Sequence, residues 1–192
     1  MPNDDVDESR VRACAHDPDA LAEVFRVYGA DVRSFLMRIS SRSAVHEVED
    51  LTQEVFLAVP DAARRYRGDA PPRAWLFGIA RRMARSRARR AAVRRALLLQ
   101  RPAEVEPVAR DGGLETGLDL ERAMERLSDT HREVLVLSVV EGLSARELAV
   151  ALGVKEKTVW TRVHRARRAL AELLEADEPL NHSGGDHGPD RT

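Results

Sequence analysis

Cysteine is nearly absent from this chain of 192 residues. Cys14 stands alone, so no intramolecular disulfide can form and no zinc site can be built from cysteines. Aromatic residues are scarce at 4%, whereas charged residues reach 33%. That mix disfavours strands, which draw on β-branched and aromatic side chains, and suits helices. No apolar run approaches the ~20 residues of a membrane span. The first seven residues are acidic and lack a signal-peptide core. A cytoplasmic location without membrane insertion is therefore expected. There is no Gly-rich phosphate loop, no nucleophile paired with a base and no metal-ligand spacing. An enzyme is not expected, and no cofactor or metal is implied. Lysine is missing except at Lys155 and Lys157. Arginine forks suit phosphate oxygens and guanine edges. A GC-rich genome, whose codons favour arginine, accounts for most of this bias.

The formal net charge is only -1, but the charges are segregated. Arg81, Arg82, Arg85, Arg87, Arg89, Arg90, Arg94, Arg95 and Arg101 follow one another with no acid between them. A second basic cluster is Arg162, His164, Arg165, Arg167 and Arg168. Acids gather near both ends and in the middle. Basic patches in a neutral chain fit a phosphate-binding protein with a separate protein-docking face.

The length allows two small domains. Residues 1–16 read as a poorly ordered N-terminus. Asp17-Pro18 then starts a long helix, with Asp accepting from orphan N–H groups and Pro in the first turn. Leu21, Phe25, Tyr28, Val32, Phe35, Leu36 and Ile39 form its buried stripe. A second helix is expected from 45 to about 65. It buries Val48, Leu51, Thr52, Val55, Phe56 and Val59, which turns Asp50, Gln53, Glu54 and Leu57 to the other side. Residues 66–72, with Gly68 and paired prolines, form a loop. A third helix follows from near Arg73 to about Leu99, with Trp75, Leu76, Ile79, Ala80 and Met83 inward. The first domain thus spans 17–100. Residues 101–117, rich in Pro, Gly and acids, read as a flexible linker. A second helical domain covers 118–175, and 176–192 reads as a disordered polar tail carrying His182 and His187.

In that second domain, Leu118, Met124 and Leu127 mark one short helix and Val134, Leu135, Leu137, Val139 and Val140 another. Ser144 and Glu147 make a capping box, Leu148, Ala149 and Leu152 bury the next helix, and Gly153 ends it. The last helix places Val159, Val163, Ala166 and Leu170 in one apolar stripe. Lys157, Thr161, His164, Arg165 and Arg168 lie opposite, flanked by Trp160 and Arg162. A capped helix, a glycine turn and a helix with a basic outer face make a helix-turn-helix suited to the major groove. Lys157, Thr158, Thr161, Arg162 and Arg165 are candidates for base or nearby phosphate contact. Arg167 and Arg168 are candidates for phosphates, which position without specifying. The competing reading of this segment is a solvated basic helix in an ordinary bundle.

Asp50-Leu51-Thr52-Gln53-Glu54-Val55-Phe56 resembles the D-L-x-Q-E-V-F signature of extracytoplasmic-function (ECF) sigma factors of the sigma-70 family. Arg73-Ala74-Trp75-Leu76-Phe77-Gly78-Ile79-Ala80-Arg81 resembles the R-x-W-L-x-x-I-A-R stretch that follows it there. Glu133-Val134-Leu135, Glu141-Gly142-Leu143-Ser144, Glu147-Leu148-Ala149, Leu152-Gly153-Val154, Thr158-Val159 and His164-Arg165-Ala166-Arg167 are similar to that family's second domain. The resemblance covers about 20–172. It implies an all-α chain in which regions 2 and 4 are joined by a linker. Region 2 would dock on the clamp of the largest RNA polymerase subunit through Asp50, Gln53, Glu54 and Leu57. It would also recognise the −10 promoter element and capture an unstacked base in the loop at Tyr66, Arg67 and Asp69. Arg81, Arg82, Arg85 and Arg89 would hold backbone phosphates nearby, and Trp75 would be core. Region 4 would read the −35 element. An anti-sigma factor is an implied partner. The chain departs from the family at Arg82 (often Asn), Ser86 (commonly Asp), Lys157 (usually Gly) and Trp160 (usually Lys). All four lie near DNA, so a relative's promoter sequence does not carry over. A stand-alone helix-turn-helix regulator is the alternative. It accounts for residues 144–170 but not for the Asp50 to Phe56 motif.

Overall fold

A computed structural model describes residues 6–40, 45–98 and 115–177. The described residues are helical, without strands, as the composition predicts. Most of the expected linker and tail lie outside them.

The N-terminal bundle comprises α1 (Glu8–Ala13), α2 (Pro18–Ile39), α3 (Val45–Ala63) and α4 (Pro72–Leu97). Asp17 caps α2 by accepting from the Asp19 N–H, with Pro18 in the first turn. Val48, Leu51, Thr52, Val55, Phe56 and Val59 are all buried on one side of α3. Thr52 is satisfied there by donating to the Val48 carbonyl at 2.7 Å. Phe35 and Phe77 meet at 4.9 Å between ring centres and are fully buried. Trp75 packs partly buried against the core.

Two expectations fail in this bundle. Residues 6–16 are not structureless, because Asp7 caps α1 and Val6, Val11 and Cys14 are buried. Arg10 fastens α1 to α2 through Glu23 and Asp17. Phe25 does not join the buried stripe of α2. It is 50% exposed, edge-on to Phe56, while Ala20 and Val24 take the inner positions.

The C-terminal bundle comprises α5 (Glu115–Arg126), α6 (Asp129–Leu135) continuing into a π-helical turn (Val136–Val140), α7 (Ala145–Leu152) and α8 (Glu156–Asp177). Helix α5 therefore begins before the expected domain boundary at 118. The buried Arg132 donates to the carbonyls of Met124, Glu125 and Leu127, tying the end of α5 to α6. The capping box forms as read, with the Glu147 carboxylate accepting from the Ser144 N–H at 2.7 Å. Gly153 closes α7 at φ +65° in the left-handed region, where a side chain would be strained. Val139 and Val140 are not core. They are 60% and 52% exposed, since the wider π-turn rotates them off the buried face.

The two bundles pack directly on each other. Helix α4 lies along α7, and small residues let the backbones approach. A Cβ on Gly78 would stand 3.4 Å from the Ala151 Cα. The core is continuous across this seam.

Candidate functional site

Three surfaces gather the residues singled out by the sequence. The first is on α3 and α4. Asp50, Gln53, Glu54 and Leu57 are all exposed, and Leu57 is 77% exposed. They line one groove with Arg87, Arg90 and Arg94 of α4. Glu54 meets Arg87 at 3.5 Å across this groove. The helical pattern of α3 foretold the outward face. That α4 brings arginines beside it depends on tertiary packing and carried no local signal.

The second surface is the loop between α3 and α4. Arg64, Arg65, Tyr66, Arg67 and Asp69 line a groove there, and the sequence reading passed over Arg64 and Arg65. Tyr66 is not a free stacking platform in this structure. Its ring is buried against Trp75 at 4.9 Å, and its hydroxyl donates to the Ala70 carbonyl at 2.6 Å. Burial, reinforced by Glu8, pushes the phenol up to about 12. The Arg12 guanidinium lies 5.7 Å over the ring and donates to the Arg67 carbonyl. Helix α1 thus covers the loop from one side. Gly68 sits at φ +80°, and a Cβ there would run into the Glu8 carboxylate.

The basic run on α4 divides by face. Arg82 and Arg89 are exposed, as a phosphate-binding role requires. Arg81 is not. It is 6% exposed, and its Nε donates to Glu133 of α6 at 2.6 Å. Its Nη1 donates to the Leu152 carbonyl. Burial pulls this guanidinium below its ordinary value, and Glu133 acts in the opposite sense. Arg85 donates to the other Glu133 oxygen at 2.8 Å and to Thr130. Arg73 donates to the Glu141 carboxylate and carbonyl and to Asp31, and Arg38 reaches Glu141 as well. Four arginines of the first bundle are thus bound to two glutamates of the second. In this packed arrangement Arg81 and Arg85, expected to hold phosphates, are therefore occupied by protein partners. Their shared partner, Glu133, lies about fifty residues away in sequence, beyond any local pattern.

The third surface is α8. Lys157, Thr161, Arg165 and Arg168 are exposed, whereas Val159 and Ala166 are buried. Thr158 and Arg162 are half-buried rather than fully outward. Arg168 pairs with Glu172 one turn on. Among the described residues, no group of His, Cys, Asp and Glu is arranged to hold a metal ion.

Comparison with known proteins bears on all three surfaces. The Sigma-70 region 2 model matches residues 24–94, and the Sigma-70 region 4 model matches 117–170. The ECF RNA polymerase sigma factor SigM of Mycobacterium tuberculosis is 34% identical, over 83% of this chain and 80% of that protein. Two solved structures share the architecture. The sigma factor RpoE in complex with the anti-sigma factor NepR, from Bartonella quintana, superposes with a TM-score of 0.62 at 27% identity. It covers 80% of this chain and 95% of that one. CnrH in complex with the cytosolic domain of CnrY gives 0.61 at 28% identity, covering 89% and 99%. Helix α1 lies outside the region 2 match, whereas the Asp50 to Phe56 motif, the loop and most of α4 lie within it. The stand-alone regulator leaves that match without an account. This chain belongs to the sigma-70 family, as a sigma factor of the ECF class.

Proposed function

We propose that the chain docks on the clamp of core RNA polymerase, reads −10 and −35 promoter elements and promotes DNA melting for transcription initiation. The observation that carries this reading is one chain holding both an exposed Asp50, Gln53, Glu54 and Leu57 face and a capped helix-turn-helix with an exposed basic side. Carboxylates and an apolar side chain on α3 suit a basic, partly apolar protein surface. Exposed Lys157, Thr161 and Arg165 suit base edges and phosphates in a major groove. Arg67 and Asp69 offer hydrogen bonds to an unstacked base, whose extraction costs a few kcal/mol that the pocket must recover. Exposed Arg82 and Arg89 supply phosphate contacts beside it. The cytoplasm is where such a protein would act. No helix among the described residues is long and apolar enough to cross a membrane.

The packed arrangement bears on how the activity is held back. The −35 and −10 elements stand roughly 25 base pairs apart, on the order of 80 Å of duplex at ~3.4 Å per step. A chain with α4 lying on α7 cannot cover both, so the bundles separate when the protein works. A partner that favours the packed state would silence it. The RpoE structure was solved with an anti-sigma factor, and an anti-sigma factor is the partner proposed here.

Reconstitution tests the reading. Purified protein mixed with bacterial core polymerase is expected to co-elute as a complex and to start transcripts at defined sites. DNA binding by the protein alone, with no polymerase complex, would return the chain to the stand-alone regulators.

A further inference from the structure

Trp160 is the most conspicuous apolar group that neither core accounts for. It is 71% exposed, on the first half of α8. Lys157 lies one turn before it and His164 one turn after it, both exposed. At ~100° per residue, Trp160 sits at the edge of the outward basic face, on the flank opposite Arg162. The Arg162 flank is half-buried. The Trp160 flank is the open one. Glu156 lies one turn before Trp160, but from Lys157 to Arg168 the helix carries no acid, so this face as a whole favours an anionic partner such as DNA over a basic or neutral protein face.

We propose that Trp160 determines part of the −35 specificity by packing its indole on the C5-methyl group of a thymine in the major groove. The inference rests on the promoter-reading function proposed above. Three physical points support it. An indole left in water on a DNA-reading helix gains by burial against an apolar group. The thymine methyl is the apolar mark that the major groove offers. The N-terminal half of the helix, where Trp160 stands, is the part that approaches base edges in this type of reader. Lys157, Thr161 and Arg165 would then supply hydrogen bonds to neighbouring edges, and Trp160 the shape contact beside them.

The test uses holoenzyme reconstituted from the full chain and core polymerase, presented with duplexes randomised across the −35 region. Wild-type protein is expected to enrich a thymine at one position that Trp160→Ala no longer enriches. In the selected promoter, replacing that thymine by deoxyuracil removes only the methyl group. This should weaken wild-type binding by roughly three- to five-fold, the size set by burying one methyl group, and leave Trp160→Ala unaffected. Trp160→Phe should retain part of the preference. Because the side chain is exposed, the helix content of each variant by circular dichroism should match wild type. A Trp160→Ala holoenzyme that selects the same sequence, with the same loss on deoxyuracil, overturns the inference. A wild-type holoenzyme that enriches no −35 sequence overturns the promoter reading itself.

Discussion

The two bundles of this chain are stabilised differently. In the N-terminal one, Phe35, Phe77, Leu36 and Leu76 are fully buried, with a row of valines from α1, α2 and α3 around them. Among the described residues of the C-terminal one, the large fully buried side chains are fewer: Val134, Val136 and Leu137. Its α7 buries Leu148, Ala151 and Leu152, partly by resting on α4. A small domain buries a small share of its surface and gains much from any neighbour. Here the neighbour is the basic helix that would also meet the −10 DNA. If the Arg81 and Arg85 face of α4 also meets DNA, it cannot hold the second bundle and a duplex together, and holding and reading would compete for α4.

The strongest way to break this comparison is at Glu133. Its two oxygens bind Arg81 and Arg85, and it is 3% exposed. Glu133→Ala leaves Arg81 buried without a counter-charge, a change that costs about 3–5 kcal/mol for a buried pair. The expected result is separated bundles, read as a larger radius of gyration in small-angle scattering. The N-terminal bundle should still unfold cooperatively in urea. A compact variant of wild-type stability would show that the pair does not hold the bundles. Gly78→Leu attacks the same seam by size instead of charge. Its side chain meets the Ala151 backbone, and overpacking of this kind costs about 1–3 kcal/mol. Opening by both variants would make the seam the weak plane of the molecule. Opening by Glu133→Ala alone would assign the hold to charge.

What was legible in the sequence was what is decided locally. The Asp17-Pro18 start of α2, the buried and exposed sides of α3, and the Ser144–Glu147 box all follow from neighbours within a turn or two. Helix α1 was missed because six residues are too few for an apolar period, although Asp7 before Glu8 was a start signal. Phe25 was misplaced because Ala20 and Val24, at the same spacing, also fit the stripe and are smaller. The fates of Arg81 and Arg85 depend on Glu133, whose position opposite them is set by packing. An arginine-rich helix announces its charge, and only tertiary structure decides which arginines remain free.

A finer test contrasts what each bundle reads. Arg165 is exposed on α8 and has no role in either core. Arg165→Ala should leave stability unchanged and weaken promoter binding by about 1–3 kcal/mol if it meets a base. Filter binding across a salt series checks this, since a lost phosphate contact lowers the salt slope while a lost base contact relaxes selectivity. A footprint identical to wild type would remove Arg165 from the reading set.

The smallest effect on folding is expected where the effect on partnership should be clearest. Gln53 and Glu54 project from α3 away from the core, and Glu54 pairs with Arg87 across an open groove. Exposed pairs of this kind contribute about 0–1 kcal/mol. Gln53→Ala combined with Glu54→Ala should therefore shift the urea midpoint little and keep the helical signal. If α3 is the docking face, the same variant should lose most of its retention on immobilised core polymerase. If retention is unchanged, the docking surface lies elsewhere, and the groove between α3 and α4 must be read as solvated charge. The result also bears on the seam between the bundles. The α3 groove is open in the packed form, so wild-type protein and Glu133→Ala should begin docking there equally well. They should part only at promoter binding, where the opened variant has no contact to break.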